Sequence, residues 1–197
     1  MNISSNHTAV RFTADWMTAE LESIFKSPVA EVEFYPLQGD ASTRRYFRVS
    51  MKPAQEVGIG SLILMQLEKP VAESEIDFTR ILKYLGRLGL PVPRLFHYSV
   101  DRGLLFLEDC GDVTLEEKVK SADKEEIRNF YRQAVELIVA LQDRATRHID
   151  AGCPAYHLRF DVEKLMWEFN FMLEHFVCGL KGISLSETDL QTIRQGF

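Results

Sequence analysis

Hydrophobic and polar positions divide the chain into a strand-rich first part and a helical second part. Apolar residues at helical spacing predict a first helix over residues 13–25. Period-two alternation or short apolar runs predict strands at 31–37, 43–50, 61–67, 94–100 and 104–108. Apolar residues at helical spacing also predict helices at 73–88, 124–144, 160–178 and 186–195. A further short helix is predicted to begin after Thr114, its N-cap.

The order of these elements predicts an α+β protein. Five strands, with one helix inserted after the third, form a small antiparallel sheet lobe, and only helices follow. A polar segment at residues 108–112, the hinge, separates the two patterns. We therefore expect one lobe over 1–110, including the leading helix, and a helical lobe over 111–197.

The segment between the first two strands has the residues of a phosphate-facing hairpin. Arg44 and Arg45 follow directly after a turn made of small residues. At such a turn, exposed backbone N–H groups can face an anion beside the cations. The turn residues are Gly39, Asp40, Ala41 and Ser42. The alternative is an ordinary hairpin turn, because these residue types are common in turns.

The distribution of charge along the chain indicates the class of ligand. The chain has a formal net charge of −6, yet residues 40–52 hold one acid and four bases. A local cationic patch on an acidic protein favours a small anionic ligand over a nucleic acid. The 46% hydrophobic content is ordinary for a soluble domain. No apolar run reaches the roughly 20 residues of a membrane span, and the first residues have no secretory signal.

Cysteine and histidine spacing argue against disulfides and metal sites. Cys110, Cys153 and Cys178 are odd in number and far apart, which is typical of free thiols in a reducing cytoplasm. The five histidines show no ligand spacing for zinc, so a metal-dependent hydrolase is disfavoured.

The hairpin motif GDASTRRYFRV, the segment LLFLEDCGDVTL and the order of elements together resemble the protein-kinase-like aminoglycoside phosphotransferase family. Within that family the chain is most similar to bacterial kinases that phosphorylate N-acetylmuramate and N-acetylglucosamine at the anomeric position. The resemblance covers residues 15–195. It implies ATP and Mg²⁺ as cofactors and a sugar as the acceptor.

The resemblance also implies roles for individual positions. The hairpin turn would cover the nucleotide phosphates, and the hinge would bind adenine through backbone groups of Glu108, Asp109 and Cys110. Met65 stands where the family has a phosphate-binding lysine on the third strand. We hypothesise that Arg44 or Arg45 replaces that lysine. The alternatives are that both arginines are solvated strand-end residues and that the hinge is a polar linker.

Phosphoryl transfer also needs an acceptor-side base and magnesium ligands, which the family carries in an H-x-D-x-x-x-x-N loop and a later strand. His157 and Asp161 open a helix, and we expect Asp161 to cap it. Glu73 and Glu75 are expected to be helix-start acids. The chain therefore resembles the N-terminal part of a longer kinase, and by itself we expect it to bind nucleotide weakly and to transfer no phosphate.

Two functions remain open at the level of sequence. One is an ATP-dependent small-molecule kinase that acts on a sugar hydroxyl. The other is a non-catalytic kinase-like module that senses nucleotide or binds a protein, which Met65 favours slightly. The helix at 160–178 is apolar around much of its circumference, so we also expect exposed apolar surface and self-association.

Overall fold

A computed structural model describes residues 10–38, 43–53 and 58–195. The elements are α1 Ala14–Phe25, β1 Val29–Leu37, β2 Arg45–Pro53, β3 Ser61–Gln66, a 3₁₀ turn Glu73–Glu75, α2 Asp77–Arg87, β4 Leu95–Ser99, a 3₁₀ turn Val100–Arg102, β5 Leu104–Glu108, α3 Leu115–Lys120, α4 Lys124–Ala140, α5 Thr146–His148, a 3₁₀ turn Pro154–His157, α6 Val162–Met172 and α7 Glu187–Gln195. Each predicted strand is present, with ends that differ by at most three residues.

The strands form one five-stranded antiparallel sheet in the order β1-β2-β3-β5-β4, so the predicted α+β class is confirmed. In the central strands Tyr46 pairs with Met65, and Met65 pairs with Leu105. Because directly opposed residues share a face, these pairs fix which side chains lie together.

One side of the sheet, the α1 face, is covered by the first helix. Thr13 caps α1 by accepting a hydrogen bond from the Trp16 N–H at 3.3 Å. Met17 and Leu21 then point into the core and are fully buried. The strand residues buried in this cluster are Val29, Phe47, Val49, Met51, Leu62, Leu64, Leu104 and Phe106.

The opposite side, the α2 face, carries the second hydrophobic cluster. Its buried members are Met65, Leu67, Ile76, Tyr98, Leu105 and Leu107, with Tyr46, Ile63 and Phe78 partly buried beside them. The helix predicted at 73–88 begins as a 3₁₀ turn and is α-helical only from Asp77. A Thr79 hydroxyl that donates to the Glu73 carbonyl at 3.1 Å joins the two parts.

Helix α2 is tied to the segment that follows α4. The Tyr84 hydroxyl donates to the Ala145 carbonyl at 2.5 Å, and an Arg80 Nη2 donates to the Gly152 carbonyl at 2.9 Å. The helix predicted to run to residue 144 keeps α geometry only to Ala140 and continues as a π-helical segment, Leu141–Ala145. These bonds fix α2 against residues 145–152.

The chain divides into two compact units, one ending at Cys153 and one beginning at Pro154. The predicted lobe boundary near Gly111 stays a prediction. Within the second unit Asp161 caps α6 as expected, accepting from the Lys164 N–H at 3.0 Å. Trp167 and Phe171 are 58% and 53% exposed, in agreement with the predicted apolar surface, whereas self-association stays a prediction.

Candidate nucleotide site

The predicted phosphate-facing turn is flanked by the paired residues Leu37 of β1 and Tyr46 of β2. The turn residues themselves, Gly39, Asp40, Ala41 and Ser42, lie outside the described residues. Their predicted role therefore stays a prediction. What the structure does describe is the pair of arginines that follows them.

The two arginines belong to opposite faces of the sheet. Arg44 Nη1 lies 4.0 Å from Met65 Sδ, and its guanidinium carbon is 6.0 Å from the centre of the Phe78 ring, so Arg44 is on the α2 face. The Arg45 guanidinium instead lies 5.1 Å from the centre of the Phe47 ring, on the α1 face. Only Arg44 is thus next to the position where the family resemblance expects a lysine.

Met65 itself is fully buried on β3. A thioether is a weak hydrogen-bond acceptor and carries no charge, so Met65 contributes packing and a soft contact to Arg44. The cation beside this position comes from the neighbouring strand. The hypothesis that Arg44 or Arg45 replaces the lysine stays a prediction, and of the two it is Arg44 that lies beside Met65.

In the middle of β2, Arg48 binds both acids of the hinge. It pairs with Ile63 across the strands, which puts it on the α2 face with Arg44. Its Nε is 2.8 Å from Asp109 Oδ2, and its Nη1 and Nη2 each lie 2.7 Å from one oxygen of Asp112. The bidentate contact uses the fork geometry that only arginine offers.

Asp109 has further donors besides Arg48. The Ser61 hydroxyl donates to its Oδ2 at 2.8 Å, and the Gly111 N–H donates to its Oδ1 at 2.9 Å. Burial alone would raise the pKa of Asp109, but the hydrogen bonds from Gly111, Ser61 and Arg48 outweigh it and lower this pKa below the ordinary value. The hydrogen bonds from Arg48 are the main reason that the pKa of Asp112 is lowered too.

Sequence reasoning assigned the hinge a role through backbone groups alone and missed these side chains. Arg48, Ser61 and Asp112 are far apart in sequence from their partners, so no local motif reveals them. The alternation of β2 was the one available signal, because it places Arg48 on the same face as Tyr46.

The N–H of Cys110 in the hinge has no protein acceptor among the described residues. The Glu108 N–H donates to the Arg94 carbonyl at 2.8 Å, and the Glu108 carboxylate accepts from the Arg94 N–H at 2.9 Å. Among the described residues, none accepts a hydrogen bond from the N–H of Cys110, which is exposed. This group can bind a ligand without breaking an existing bond.

The remaining candidate residues have structural roles. Glu73 forms an ion pair with Lys83 at 2.7 Å, and Glu75 lies in the exposed 3₁₀ turn before α2, which fits helix-start acids. His97 is 3.1 Å from Glu20, on the rim of a groove of about 970 Å³ that contains none of the predicted site residues. Within the part of the chain that the structure describes, no group of three or more potential ligands gathers to hold a metal ion.

Comparison with known proteins gives one distant match to a kinase. The chain is similar to the N-acetylmuramate/N-acetylglucosamine kinase of Pseudomonas aeruginosa, with 27% identity over 131 residues. The match takes in 64% of this chain and 36% of the relative, so the chain spans little more than a third of that protein. No family model matches the chain, and no solved structure matches it. In the described residues, no helix is both long enough and apolar enough to cross a bilayer.

Proposed function

We propose that this chain is the nucleotide-binding part of an ATP-dependent kinase that phosphorylates a small molecule. The acceptor we propose is a sugar hydroxyl, such as the anomeric hydroxyl of an N-acetylated amino sugar. The single observation that carries the proposal is the arrangement along β2: Arg44, directly before the strand, lies beside the position of the missing lysine, and Arg48, in the middle of the strand, contacts the hinge. The distant similarity to a sugar kinase supports the same class of reaction.

The spacing along β2 suits an extended nucleotide. Arg44 and Arg48 are four residues apart on one face, and at a rise of about 3.3 Å per residue their Cα atoms are separated by ~13 Å. This is the scale of a nucleoside triphosphate from its base to its terminal phosphates. The partly buried Tyr46 lies between the two arginines and Ile63 lies opposite Arg48, and both would offer an apolar surface to the base and ribose.

At the phosphate end, Arg44 would neutralise charge on the triphosphate together with the turn at residues 39–42. A guanidinium makes charge-assisted hydrogen bonds to phosphate oxygens, the contact that a lysine otherwise provides. At the base end, the Cys110 N–H would donate to a ring nitrogen of the base, and the carbonyl of Glu108 would accept from an exocyclic amine. The side chain of Asp109 takes no part, because Arg48, Ser61 and Gly111 already occupy its oxygens.

The groups that act on the acceptor and on Mg²⁺ belong to other residues in this proposal. The described residues do not fit a magnesium site, since no cluster of carboxylates forms there. We therefore propose that the chain binds nucleotide and that transfer requires the remainder of a longer kinase. A cytoplasmic location is part of the proposal, because ATP is available there and thiols such as those of Cys110 and Cys178 stay reduced.

Substitution of the two arginines tests the nucleotide site. In Arg44→Met the Kd for ATP, measured by isothermal titration, should rise about tenfold, the effect of losing one charge-assisted contact. Arg45→Met is the matched control, because it removes the same charge from the adjacent residue on the other face, and its Kd should change less than about twofold. Equal affinity in wild type and both variants would remove Arg44 from the site.

A transfer assay tests the wider proposal. With radiolabelled ATP and either N-acetylmuramate or N-acetylglucosamine, the 197-residue chain should bind ATP and form no labelled sugar phosphate. Turnover by this chain alone would show that the catalytic groups lie within it. Absence of ATP binding at millimolar concentration would instead refute the nucleotide site.

The second candidate is a non-catalytic kinase-like module that senses nucleotide or binds a protein partner. The buried Met65 favours it, because a catalytic lobe has little reason to lose a phosphate-binding lysine. ATP binding that is unaffected by Mg²⁺, with no transfer when the longer protein is assayed, would support this candidate over the kinase.

A further inference from the structure

The hinge contains a carboxylate that is turned into the protein. The side chain of Asp109 is only 9% exposed, although its neighbour Cys110 is exposed and the side chain of Asp112 is 78% exposed. Its oxygens accept hydrogen bonds from two other strands and from the hinge itself, through Arg48 of β2, Ser61 of β3 and the Gly111 N–H. The carboxylate therefore stabilises the conformation of the hinge and is not available to bind a ligand.

The restraint on this hinge comes from the sheet and is long-range. Arg48 is 61 residues before Asp109 and 64 before Asp112, and it contacts both. Gly111 lies between the two acids with a φ of +79°, a left-handed conformation that the bond from its N–H to Asp109 helps to select. A single guanidinium thus holds both ends of the turn at residues 109–112.

We propose that Arg48 is a positioning residue that holds the hinge in the turn which leaves the Cys110 N–H open to a nucleobase. The inference rests on the proposed function, because a bound nucleotide is what gives this N–H its partner. An arginine is required, since Nη2 donates to Asp109 Oδ1 at 3.2 Å and both terminal nitrogens donate to Asp112, while Nε lies 2.8 Å from Asp109 Oδ2. A lysine carries its donors on one nitrogen, so it cannot make the bidentate contact to Asp112 and reach Asp109 with a second nitrogen, and it would hold the turn less firmly.

Hydrogen–deuterium exchange measures the restraint without any nucleotide. In Arg48→Met, the amide of Gly111, whose N–H donates to Asp109 at 2.9 Å, should exchange about tenfold faster than in wild type, because the charge-assisted bonds that hold Asp109 and the turn are lost. The matched control is Lys52→Met, which removes another cation of β2 whose ion pair, with Glu31, is remote from the hinge. Its hinge exchange should equal that of wild type.

A thiol probe gives a second readout at the same place. In a Cys178→Ser background, Cys110 is the one exposed cysteine and Cys153 is buried, so the fast reaction with a maleimide reports on the hinge. The rate should change severalfold in Arg48→Met and should stay unchanged in Lys52→Met. Unchanged exchange and an unchanged thiol rate in Arg48→Met would overturn the proposal.

ATP affinity then separates a positioning role from a merely structural one. The Kd for ATP should rise about tenfold in Arg48→Met, should not be restored by Arg48→Lys, and should be unaffected in Lys52→Met. A looser hinge with unchanged Kd would overturn the positioning role and leave the proposed function intact. If the wild-type chain binds no ATP, the proposed function fails, and faster exchange in Arg48→Met would still establish the restraint itself.

Discussion

At the scale of single residues, the surroundings of Met65 explain why a lysine would not simply restore a phosphate-binding site. The side chain is fully buried, and the nearest cation, Arg44 Nη1, is 4.0 Å from its sulfur. An ammonium at this position would lose its hydration and lie beside a like charge. The cation at this end of β2 therefore depends on Arg44.

We expect Met65→Lys to lower the free energy of unfolding by about 2–4 kcal/mol, the range for a buried charge without a partner. Met65→Leu, which keeps the apolar volume, should cost less than about 1.5 kcal/mol. Urea unfolding of the two variants measures the difference. A Met65→Lys protein as stable as Met65→Leu, with tighter ATP binding, would mean that Arg44 does not occupy the lysine's place.

The hinge acids predict how stability depends on pH. The folded-state pKa of Asp109 and of Asp112 is lowered, so their contribution is complete above the unfolded-state pKa of about 3.9 and is lost as pH falls through the lower folded-state pKa. Stability should therefore fall on acidification below about pH 4. In Arg48→Met this part of the profile should be flatter, and thermal unfolding across acidic pH measures it. A profile identical to wild type would contradict the assignment.

The sequence could predict part of this site and not the rest. The cationic hairpin, the position of Met65 and the hinge are local features, and each was visible in consecutive residues. The sequence does not show which of Arg44 and Arg45 lies beside Met65, because that depends on which face of the sheet packs against α1 and which against α2. The contacts of Arg48 were missed for a related reason, since they join β2 to the end of β5 through the strand order.

At the scale of elements, the turn between β4 and β5 depends on Gly103. Its φ is +61°, and an added Cβ would lie 3.0 Å from Pro70 Cα and 3.2 Å from Pro70 N, which are backbone atoms. The Gly103 carbonyl also accepts from the Leu67 N–H at 2.9 Å. The turn is therefore held against the end of β3 and has little room to adjust.

Gly103→Ala should destabilise the protein by about 2–3 kcal/mol, through left-handed strain together with the clash. Gly58→Ala is the matched control. Gly58 has a similar φ of +73° and open space around it, so strain alone should cost about 1 kcal/mol. Chemical unfolding of both variants gives the comparison, and equal losses would show that contact with Pro70 is unimportant.

The bond between α2 and the segment after α4 gives another prediction for this scale. Tyr84→Phe removes the hydroxyl that donates to the Ala145 carbonyl and should cost about 1 kcal/mol. Tyr35→Phe makes the same change at a half-exposed residue whose hydroxyl donates to Glu33, and it should cost less than about 0.5 kcal/mol. If thermal unfolding gives equal values for the two variants, the α2 contact adds nothing to stability.

Elements were predicted best where the periodicity was strong. Alternation or short apolar runs located all five strands, and cap residues located the starts of α1, α3 and α6, at Thr13, Thr114 and Asp161. The π-helical segments Leu141–Ala145 and Leu173–Leu180 were not predicted. Helical spacing continues through both of them, and the wider turn leaves little trace in a hydrophobic pattern.

At the scale of the whole molecule, the sequence pattern and the compactness of the fold divide the chain at different places. The sequence pattern changes at the hinge, which predicts a boundary near Gly111. In the fold, by contrast, the residues up to Cys153 form one compact unit. Because α2 contacts the Ala145 and Gly152 carbonyls, the two divisions predict different behaviour for shortened chains.

The stabilities of two fragments, residues 1–153 and residues 1–111, distinguish the two divisions of the chain. Residues 1–153 retain both hydrophobic clusters and the bonds from Tyr84 and Arg80, so this fragment should unfold in one cooperative transition. Residues 1–111 keep the clusters but lose both acceptors for α2, and two such bonds contribute about 2 kcal/mol, a large share of the stability of a small domain. We therefore expect a midpoint for 1–111 that is lower by several degrees, and faster amide exchange in α2. Equal midpoints and equal exchange in α2 would instead place the functional boundary at the hinge and make residues 112–153 part of the helical lobe.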